Sequence, residues 1–386
     1  MGSPSKNICY SHLNTAVEIL QIYDGKVPFR HFIKKYFAQH KKFGSKDRRE
    51  ISRICYTYFR AGKAFSTYPL RERILRSLKQ NFGGITPEWQ EIINELDLPD
   101  RKGLEVFPWR KQLSAQIEPQ HFEASLAIQP DLFLRIRPGC VETVTQKLKN
   151  ASIPFQIEGT AVRIANSQQI ETVLKLNQEV VVQDLNSQQT GRFLELVKNS
   201  LKKRSKLSVY DCCAASGGKS ILAWDILGPV RLTVSDIRPS MIANLKKRLQ
   251  QAGITPYQAY VRDLTKESKS SVQYDLVIAD LPCTGSGTWA RTPEQLYFFE
   301  EKEIKRYASL QTSILQQVKH TVKPGGFLLY LTCSVFKEEN EAQVALLLSN
   351  GFTLVEQRLL KGYFKKADTL FGALLSKTPA QNHQNS

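Results

Sequence analysis

The spacing of apolar residues changes twice along the chain of 386 residues, and each change predicts a different architecture. From Ser11 to about Gly103 apolar residues recur every three or four positions, as in amphipathic helices. The clearest stripe comprises Ile51, Ile54, Cys55, Tyr58 and Phe59. We expect Ser45 to cap that helix. The pattern predicts a helical domain over residues 1–108.

Residues 109–190 show short alternating segments, which predict a small α+β module. LFLRIR, residues 132–137, alternates apolar and polar residues like a half-buried strand. ETVTQKLKNA is typical of a helix, and IPFQIEG with AVRIA predicts a hairpin that turns at Gly159 and Thr160. The predicted strands carry three cations, Arg135, Arg137 and Arg163.

Residues 191–378 alternate apolar strands with amphipathic helices, which predicts an α/β domain with a parallel sheet. The five candidate parallel strands are LSVYDC, RLTVSDI, YQAYVRD, YDLVIAD and FLLYLTC. FTLVEQR and LFGALLSK suggest an antiparallel pair that closes the sheet. The last residues, 379–386, are polar, and we expect a disordered tail there.

Charge favours a polyanionic partner. The chain carries 54 Lys and Arg against 36 Asp and Glu, a net charge of +18. Such an excess attracts nucleic acid. In the helical domain the cations lie opposite the apolar stripes, at Lys34, Lys35, Lys41, Lys42, Lys46, Arg48, Arg49 and Arg53. A merely solvated basic face is the alternative.

The seven cysteines are scattered and form no CxxC pair, which argues against a disulfide framework and against a zinc site. We therefore expect reduced thiols, a cytoplasmic location and no metal. No apolar run is long enough to span a membrane and no secretory signal is evident, so neither membrane insertion nor export is expected.

Two thiols and a carboxylate follow predicted strands. Asp280 ends YDLVIAD, Cys283 follows it in a turn, and Cys333 ends FLLYLTC. Open parallel sheets place their chemistry at the carboxyl ends of strands. These three residues are therefore the candidate catalytic groups, whereas Cys212 is expected to be a packing residue.

The first strand of this domain runs into DCCAASGGKS, where Gly217 and Gly218 would let the backbone approach a ligand. Asp236, Asp263 and Asp280 end the next three strands and suit a nucleoside without a phosphate tail. A P-loop would need glycine at the position of Cys213, and GxGxxG is absent. S-adenosyl-L-methionine fits this combination best.

Two strand-end thiols suggest methylation of carbon-5 of a pyrimidine. That carbon becomes nucleophilic only after a group such as a cysteine thiolate has added to carbon-6. Asp280 could hydrogen-bond the base nitrogen and stabilise the adduct. The base must be flipped or single-stranded to reach the thiol. Spacing alone leaves open which cysteine attacks.

These motifs resemble those of RNA cytosine-5 methyltransferases of the RsmB/Sun and Nop type. The resemblance covers about Val180 to Lys377 and rests on DCCAASGGK, the Asp236 strand end, DLPCTGSGT, and LTCS followed by Glu338, Glu339, Asn340 and Glu341. It implies a Rossmann-like class I methyltransferase domain with a mixed seven-stranded sheet. It also implies a helical NusB-like domain, similar over Ser45 to Arg60, and a small α+β RNA-binding module.

The resemblance also implies roles for single residues. Cys333 would be the nucleophile, with Cys283 helping to release the product. The methyl-donor site would comprise Cys213, Ala214, Ala215, Ser216, Gly217, Gly218, Lys219, Asp236, Asp263 and Asp280. Ser216 and Leu281 depart from the family's commonest residues, but both loop glycines remain, so we expect donor binding to persist. The segment from Ala290 to Pro293 also departs from the commonest version, and this departure puts substrate choice rather than chemistry in doubt.

The expected activity is transfer of a methyl group to carbon-5 of cytosine in RNA by a monomer, with ribosomal RNA the first candidate substrate. Transfer RNA is the alternative substrate. A non-catalytic RNA-binding factor of ribosome assembly is the alternative function, although such a protein has no use for two strand-end thiols. A P-loop NTPase is opposed by the missing glycine.

Overall fold

The computed structural model describes residues 4–80, 87–95, 105–266 and 272–379. Its helices are α1 (Pro4–Ile22), α2 (Phe29–Gln39), α3 (Ser45–Arg60), α4 (Leu70–Lys79), α5 (Pro87–Glu95), α6 (Pro119–Ser125), α7 (Val141–Asn150), α8 (Leu185–Gln189), α9 (Gly191–Ser200), α10 (Gly218–Leu227), α11 (Pro239–Gln251), α12 (Pro293–Phe298), α13 (Lys302–Val318) and α14 (Glu341–Leu348). Within the described residues, no helix is both long and apolar enough to cross a membrane.

Its strands are β1 (Leu132–Ile136), β2 (Phe155–Glu158), β3 (Ala161–Ile164), β4 (Val180–Val182), β5 (Ser208–Asp211), β6 (Arg231–Asp236), β7 (Tyr257–Val261), β8 (Tyr274–Asp280), β9 (Val322–Thr332), β10 (Phe352–Leu360) and β11 (Leu370–Lys377). The chain forms two compact units. The helical unit comprises Met1–Leu113, Glu118–Pro130 and Thr288–Glu301, and the sheet unit comprises Ser114–Ile117, Asp131–Gly287 and Lys302–Ser386.

The helical unit is built from amphipathic helices, as the apolar spacing predicts. The stripe on α3 is buried, and it includes Cys55, a core residue as expected. The prediction of Ser45 as the cap is wrong by one residue, because α3 begins at Ser45 and Gly44 precedes it. The Gly44 amide donates to the Asp47 carboxylate at 2.9 Å, so the Asp47 side chain satisfies the backbone amide of the capping residue.

Most of the expected cations lie at the surface of the helical unit. Lys34, Lys35, Lys41, Lys42, Lys46 and Arg49 are exposed. Two others are engaged within the protein: Arg53 pairs with Glu50 at 2.6 Å, and the Arg48 side chain donates to the Phe43 carbonyl oxygen at 2.8 Å. The exposed lysines therefore form a basic surface on α2, on α3 and on the turn between them.

The segment Thr288–Glu301 lies between two parts of the sheet unit in sequence, but it packs in the helical unit. The buried Arg60 guanidinium donates to the Ala290 carbonyl oxygen at 3.0 Å, and Lys63 donates to that of Tyr297 at 2.6 Å. The Glu294 carboxylate accepts from the first amide of α2 at 3.1 Å. The chain therefore enters the helical core directly after the Cys283 loop.

A four-stranded antiparallel sheet of order β2-β3-β1-β4 forms the first layer of the sheet unit. The predicted β2-β3 hairpin is present, and α7 packs on one face. On β1, the buried Arg135 donates to Asp225 of α10 at 2.6 Å, and Arg137, just after the strand, donates to the same carboxylate at 2.7 Å. These ion pairs join the small sheet to α10.

The larger sheet has seven strands in the order β10-β11-β9-β8-β5-β6-β7. Strands β5 to β9 run parallel, and β11 is antiparallel to both β9 and β10. The mixed seven-stranded sheet expected from the sequence is therefore confirmed. Strand β10 runs in the direction of β9, so the carboxyl ends of β5 to β10 share one edge.

Candidate functional site

The two strand-end cysteines meet at this edge. Strands β8 and β9 are parallel neighbours with Asp280 opposite Leu331, so the loops that follow them lie side by side. The Sγ atoms of Cys283 and Cys333 are 3.3 Å apart. The structure therefore brings both predicted thiols into one place, although 50 residues separate them in sequence.

Gly287 holds the Cys283 loop against the Cys333 loop. Its amide donates to the Cys333 carbonyl oxygen at 2.8 Å, and its own carbonyl oxygen accepts from the Thr369 amide at 2.9 Å. A Cβ at this position would lie 2.0 Å from the Thr369 oxygen, closer than van der Waals contact allows. Only glycine permits this close approach of two backbones.

The buried carboxylate of Glu339 joins the two cysteine loops. It accepts hydrogen bonds from the Thr284 amide at 2.8 Å, the Thr284 hydroxyl at 2.6 Å and the Ser334 hydroxyl at 2.6 Å. Gln311 donates a further bond at 3.2 Å. Burial raises the pKa of Glu339, and these donors partly oppose that rise. Because Thr284 follows Cys283 and Ser334 follows Cys333, Glu339 fixes both turns.

Asn340 completes this network from the same chain segment. Its amide nitrogen donates to the Ser334 carbonyl oxygen at 2.9 Å, and its oxygen accepts from the Thr332 hydroxyl at 2.6 Å. The side chain is fully buried. Both residues that flank Cys333 are therefore held, one on each side.

The contact with Cys333 affects the proton affinity of Cys283. The hydrogen bond to Cys333 and burial together raise the pKa of Cys283 well above its usual value. Two thiols in contact cannot both ionise easily, because adjacent like charges repel each other. Cys283 therefore keeps its proton and can donate it toward the Cys333 sulfur.

Asp280 ends β8 beside the thiols and is held by Lys219. The Lys219 ammonium lies 3.0 Å from the Asp280 carboxylate and 2.8 Å from the Ser187 hydroxyl. The Asp280 side chain is about one-third exposed. The ion pair with Lys219 thus orients one carboxylate oxygen of Asp280.

The predicted donor-site loop from Cys213 to Gly218 joins β5 to α10 in a tight turn. Gly217 has a φ of +85°, and a Cβ there would lie 3.2 Å from the Leu245 side chain, so both the backbone and the available space require glycine. Ala215 has a φ of 45°, which is unusual for a residue with a side chain. Its amide donates to Asp236 at 3.0 Å, so Asp236 holds the loop at this residue.

Arg248 of α11 binds the loop at Ser216, the residue that departs from the resembled pattern. The guanidinium donates to the Ser216 carbonyl oxygen at 2.9 Å and to its hydroxyl at 2.7 Å. It also donates to the Asn177 side chain at 3.0 Å. A hydroxyl at position 216 therefore has a specific partner, and the loop is braced by α11.

Asp236 lies buried at the end of β6, next to the loop. Burial acts to raise its pKa, but hydrogen bonds from the Arg238 side chain and amide outweigh it and hold the pKa below its usual value. Its neighbour Ile237 is 58% exposed. Asp263, after β7, is turned into its own loop, where it accepts from the Thr265 amide and hydroxyl.

Asp211 and Cys212 lie beneath this surface. Cys212 is fully buried in the core, in keeping with a packing role. Burial raises the pKa of Asp211 to about 7, and a 2.6 Å hydrogen bond from the Ser220 hydroxyl opposes the rise. This bond connects the end of β5 to the first turn of α10.

The structure thus places most sequence-predicted site residues along one edge, with Asp263 engaged in its own turn. Sequence reasoning quoted Glu339 and Asn340 within a motif but assigned them no role, and it missed Arg248. The position of Glu339 and Asn340 shortly after Cys333 was a signal for them, whereas only the fold brings Arg248 to the donor-site loop. Within the described residues, no group of three or more His, Cys, Asp or Glu could hold a metal ion.

Comparison with known proteins gives a matching family and several similar curated proteins. Residues 198–385 match the family described as 16S rRNA methyltransferase RsmB/F. The chain is 26% identical over 293 residues to ribosomal RNA small subunit methyltransferase B of Pasteurella multocida (strain Pm70), covering 73% of this chain and 60% of that protein. It is 32% identical over 168 residues to the probable enzyme of the same name from Bacillus subtilis (strain 168), covering 43% and 36%. The chain thus spans less than two thirds of these relatives.

Solved structures agree on the fold. The protein PH0851 aligns over 98% of this chain and 100% of its own, with a TM-score of 0.71 and 20% identity. NSun6 from Pyrococcus horikoshii, crystallised with SFG, aligns over 69% of this chain and 96% of its own, with a TM-score of 0.58 and 16% identity. At these identities the likeness concerns the fold.

Proposed function

We propose that the chain, whose residues 198–385 match the family described as 16S rRNA methyltransferase RsmB/F, belongs to that family and transfers a methyl group from S-adenosyl-L-methionine to carbon-5 of cytosine in RNA. Ribosomal RNA is the proposed substrate, because the similar curated proteins are named for it. The observation that carries the proposal is the contact between Cys283 and Cys333 beside Asp280.

Cys333 is the proposed nucleophile. Its thiolate adds to carbon-6 of cytosine, a bond forms between sulfur and carbon-6, and the ring electrons make carbon-5 nucleophilic. The protonated neighbour Cys283 supports this role, since a hydrogen bond from an S–H group stabilises an adjacent thiolate. Glu339 and Asn340 keep the attacking sulfur in position through Ser334 and Thr332.

Asp280 is the proposed partner of the base. Addition at carbon-6 raises the basicity of the ring nitrogen at position 3, so that this nitrogen takes up the proton that the Cys333 thiol releases when it ionises. A carboxylate oxygen of Asp280 would accept a hydrogen bond from the resulting N–H group and stabilise the adduct. Lys219 holds the other side of the carboxylate and limits its rotation.

The methyl donor would bind along the loop from Cys213 to Gly218 and at the end of β6. When bound, S-adenosyl-L-methionine supplies an electrophilic methyl group. The surroundings fit a nucleoside: the ribose hydroxyls would replace the Arg238 guanidinium on Asp236, and the exposed Ile237 would cover a base face. Space lies open beside Gly218, where a Cβ would meet no atom within 4 Å. Asp263 would contribute only if it left its bond to Thr265.

Product release returns the enzyme to its starting state. The carbon-5 proton passes to water, the double bond between carbon-5 and carbon-6 forms again, and the bond between carbon-6 and the Cys333 sulfur breaks, so that 5-methylcytosine and the demethylated donor leave. Cys283 is proposed to assist this step, because its sulfur lies in contact with the departing sulfur. The exposed lysines of α2 and α3 would hold the RNA by its phosphates.

Transfer of tritium from labelled S-adenosylmethionine to purified small-subunit RNA tests the proposal. We expect labelled RNA in which the modified base resists bisulfite conversion, as 5-methylcytosine does. Labelled transfer RNA with unlabelled ribosomal RNA would reject the proposed substrate. The absence of label in both RNAs would reject the enzymatic function and leave an RNA-binding factor.

A further inference from the structure

A basic and aromatic loop lies at the same sheet edge as the two thiols. The connection between β10 and β11 reads Lys361, Gly362, Tyr363, Phe364, Lys365 and Lys366; we term these residues, 361–366, the KGYFKK loop. Because β10 runs in the direction of β9, this loop leaves the sheet at the carboxyl edge. The mechanism above makes no use of it.

The KGYFKK loop is held rigidly at its base. The buried Asn186 amide nitrogen donates to the Leu360 carbonyl oxygen at 2.9 Å and to that of Asp368 at 2.7 Å. A Cβ on Gly362 would lie only 2.1 Å from the Asp368 oxygen, so the two arms of the loop touch. Hydrogen bonds at the base of a loop restrict its conformational freedom, which lowers the entropy cost of binding.

Hydrogen bonds connect the loop base to the cysteine pair. Thr369 donates its amide proton to Gly287 at 2.9 Å, and Gly287 donates its own to the Cys333 carbonyl oxygen at 2.8 Å. A single residue, Gly287, therefore links the base of the KGYFKK loop to Cys333. An RNA strand that placed a cytosine at Cys333 would pass close to this loop.

A cleft of about 450 Å³ opens between the KGYFKK loop and the four-stranded sheet. Its floor is apolar and consists of Phe133, Ala161 and Leu185, which pack together. Its rim carries Phe364, whose side chain is 55% exposed, and Lys365. The volume lies within the range typical of small-molecule sites.

The charges around the cleft favour an anion. Lys365 and Lys366 are exposed, and Arg163 is one-third exposed while paired with Asp131. The opposing acid, Glu158, is mostly exposed and lies 4.0 Å from Lys365. An exposed ring beside cations is the usual platform for an unstacked base and its phosphate. An acidic peptide would use the cations but not the flat ring.

We propose that this cleft binds one unpaired nucleotide of the RNA next to the target cytosine, with its base on Phe364 and its phosphate at Lys365 and Lys366. The inference rests on the proposed function for the identity of the RNA as substrate. The cleft would make methylation depend on the nucleotide next to the target cytosine, through residues that lie outside the reacting site.

Fluorescence anisotropy with a labelled single-stranded RNA of about 12 nucleotides of mixed sequence tests the cleft directly. Phe364→Ala is expected to weaken binding by roughly 5- to 100-fold, while Phe364→Trp keeps it, because the ring supplies the stacking. The Lys365→Ala, Lys366→Ala double variant removes the contact to one phosphate, so it should weaken binding and lower the slope of log affinity against log salt by about 0.7. Glu158→Gln should tighten it.

The matched control is the Lys202→Ala, Lys203→Ala double variant, which removes the same charge ahead of β5, at the opposite sheet edge. Equal losses in the two double variants, or unchanged binding in Phe364→Ala, would overturn the inference. The assay needs no turnover. If RNA binding depends on Phe364 but no methyl transfer is seen, the proposed function alone is rejected. If Phe364→Ala methylates RNA normally with an unchanged KM for RNA, the cleft alone is rejected.

Discussion

The Sγ atoms of Cys283 and Cys333 lie in contact, 3.3 Å apart, on loops that follow adjacent parallel strands. Gly287 and Glu339 bond the two loops to each other, and Asn340 holds the residues on either side of Cys333. The chemistry proposed for this protein thus depends on a buried polar network that sets the positions of the two thiols.

Cys333→Ala is expected to abolish methyl transfer, because no other group in the proposed mechanism adds to carbon-6. S-adenosylmethionine affinity should stay within about twofold of the parent, since the donor-site loop follows a different strand. Calorimetry and tritium transfer measure the two quantities separately. Residual turnover above background would show that another group attacks.

Cys283→Ala is expected to slow product release and trap RNA on Cys333. The adduct should appear as a slowly migrating band on a denaturing gel. It should disappear in the double variant that also carries Cys333→Ala. Full activity with no retarded band would exclude the proposed release role.

Glu339→Gln is expected to lower kcat more than it affects the KM for RNA. Its amide nitrogen cannot accept all the bonds that Thr284 and Ser334 now donate, so the two thiols lose their spacing. A displacement near 1 Å can cost about 100-fold in rate. Glu338→Gln, one residue earlier, is the matched control, and equal rates in the two variants would contradict a positioning role.

Arg248→Met is expected to weaken S-adenosylmethionine binding by about 10-fold. It removes the bonds that brace Ser216, and hydrogen bonds to charged groups contribute about 1.5–3 kcal/mol each. Ser216→Ala should have a smaller effect, because the carbonyl contact remains. The exposed neighbour Lys247 provides the control, Lys247→Met, and identical affinities in all three variants would exclude the brace.

Asp211 is expected to make folding stability depend on pH. Its folded pKa of about 7 lies above the ordinary value of 3.8, so the folded state binds the extra proton. The associated stability is present at low pH and is lost as pH rises from about 4 to about 7, by up to about 4 kcal/mol. Asp211→Asn should flatten this part of the curve in urea unfolding. Parallel curves for the two proteins would contradict the shift.

The sequence by itself determined the element types and the edge at which the chemistry lies. Apolar periodicity identified the helical region, the β2-β3 hairpin and the parallel strands, because burial on one or both faces of an element imposes a regular pattern. Strand ends then singled out Asp280, Cys283 and Cys333, since parallel strands share one carboxyl edge.

Tertiary structure alone decided how those residues are held. The contact of Glu339 with Thr284, 55 residues away, and that of Arg248 with Ser216, 32 residues away, form only after the chain has folded back, and no local spacing encodes such distant contacts. The same holds for Thr288–Glu301, which packs among helices far from it in sequence. Contacts between distant residues depend on the packing of the whole fold, whereas apolar periodicity depends only on neighbouring residues. The sequence pattern therefore reveals the elements, and the tertiary structure reveals which of their residues meet.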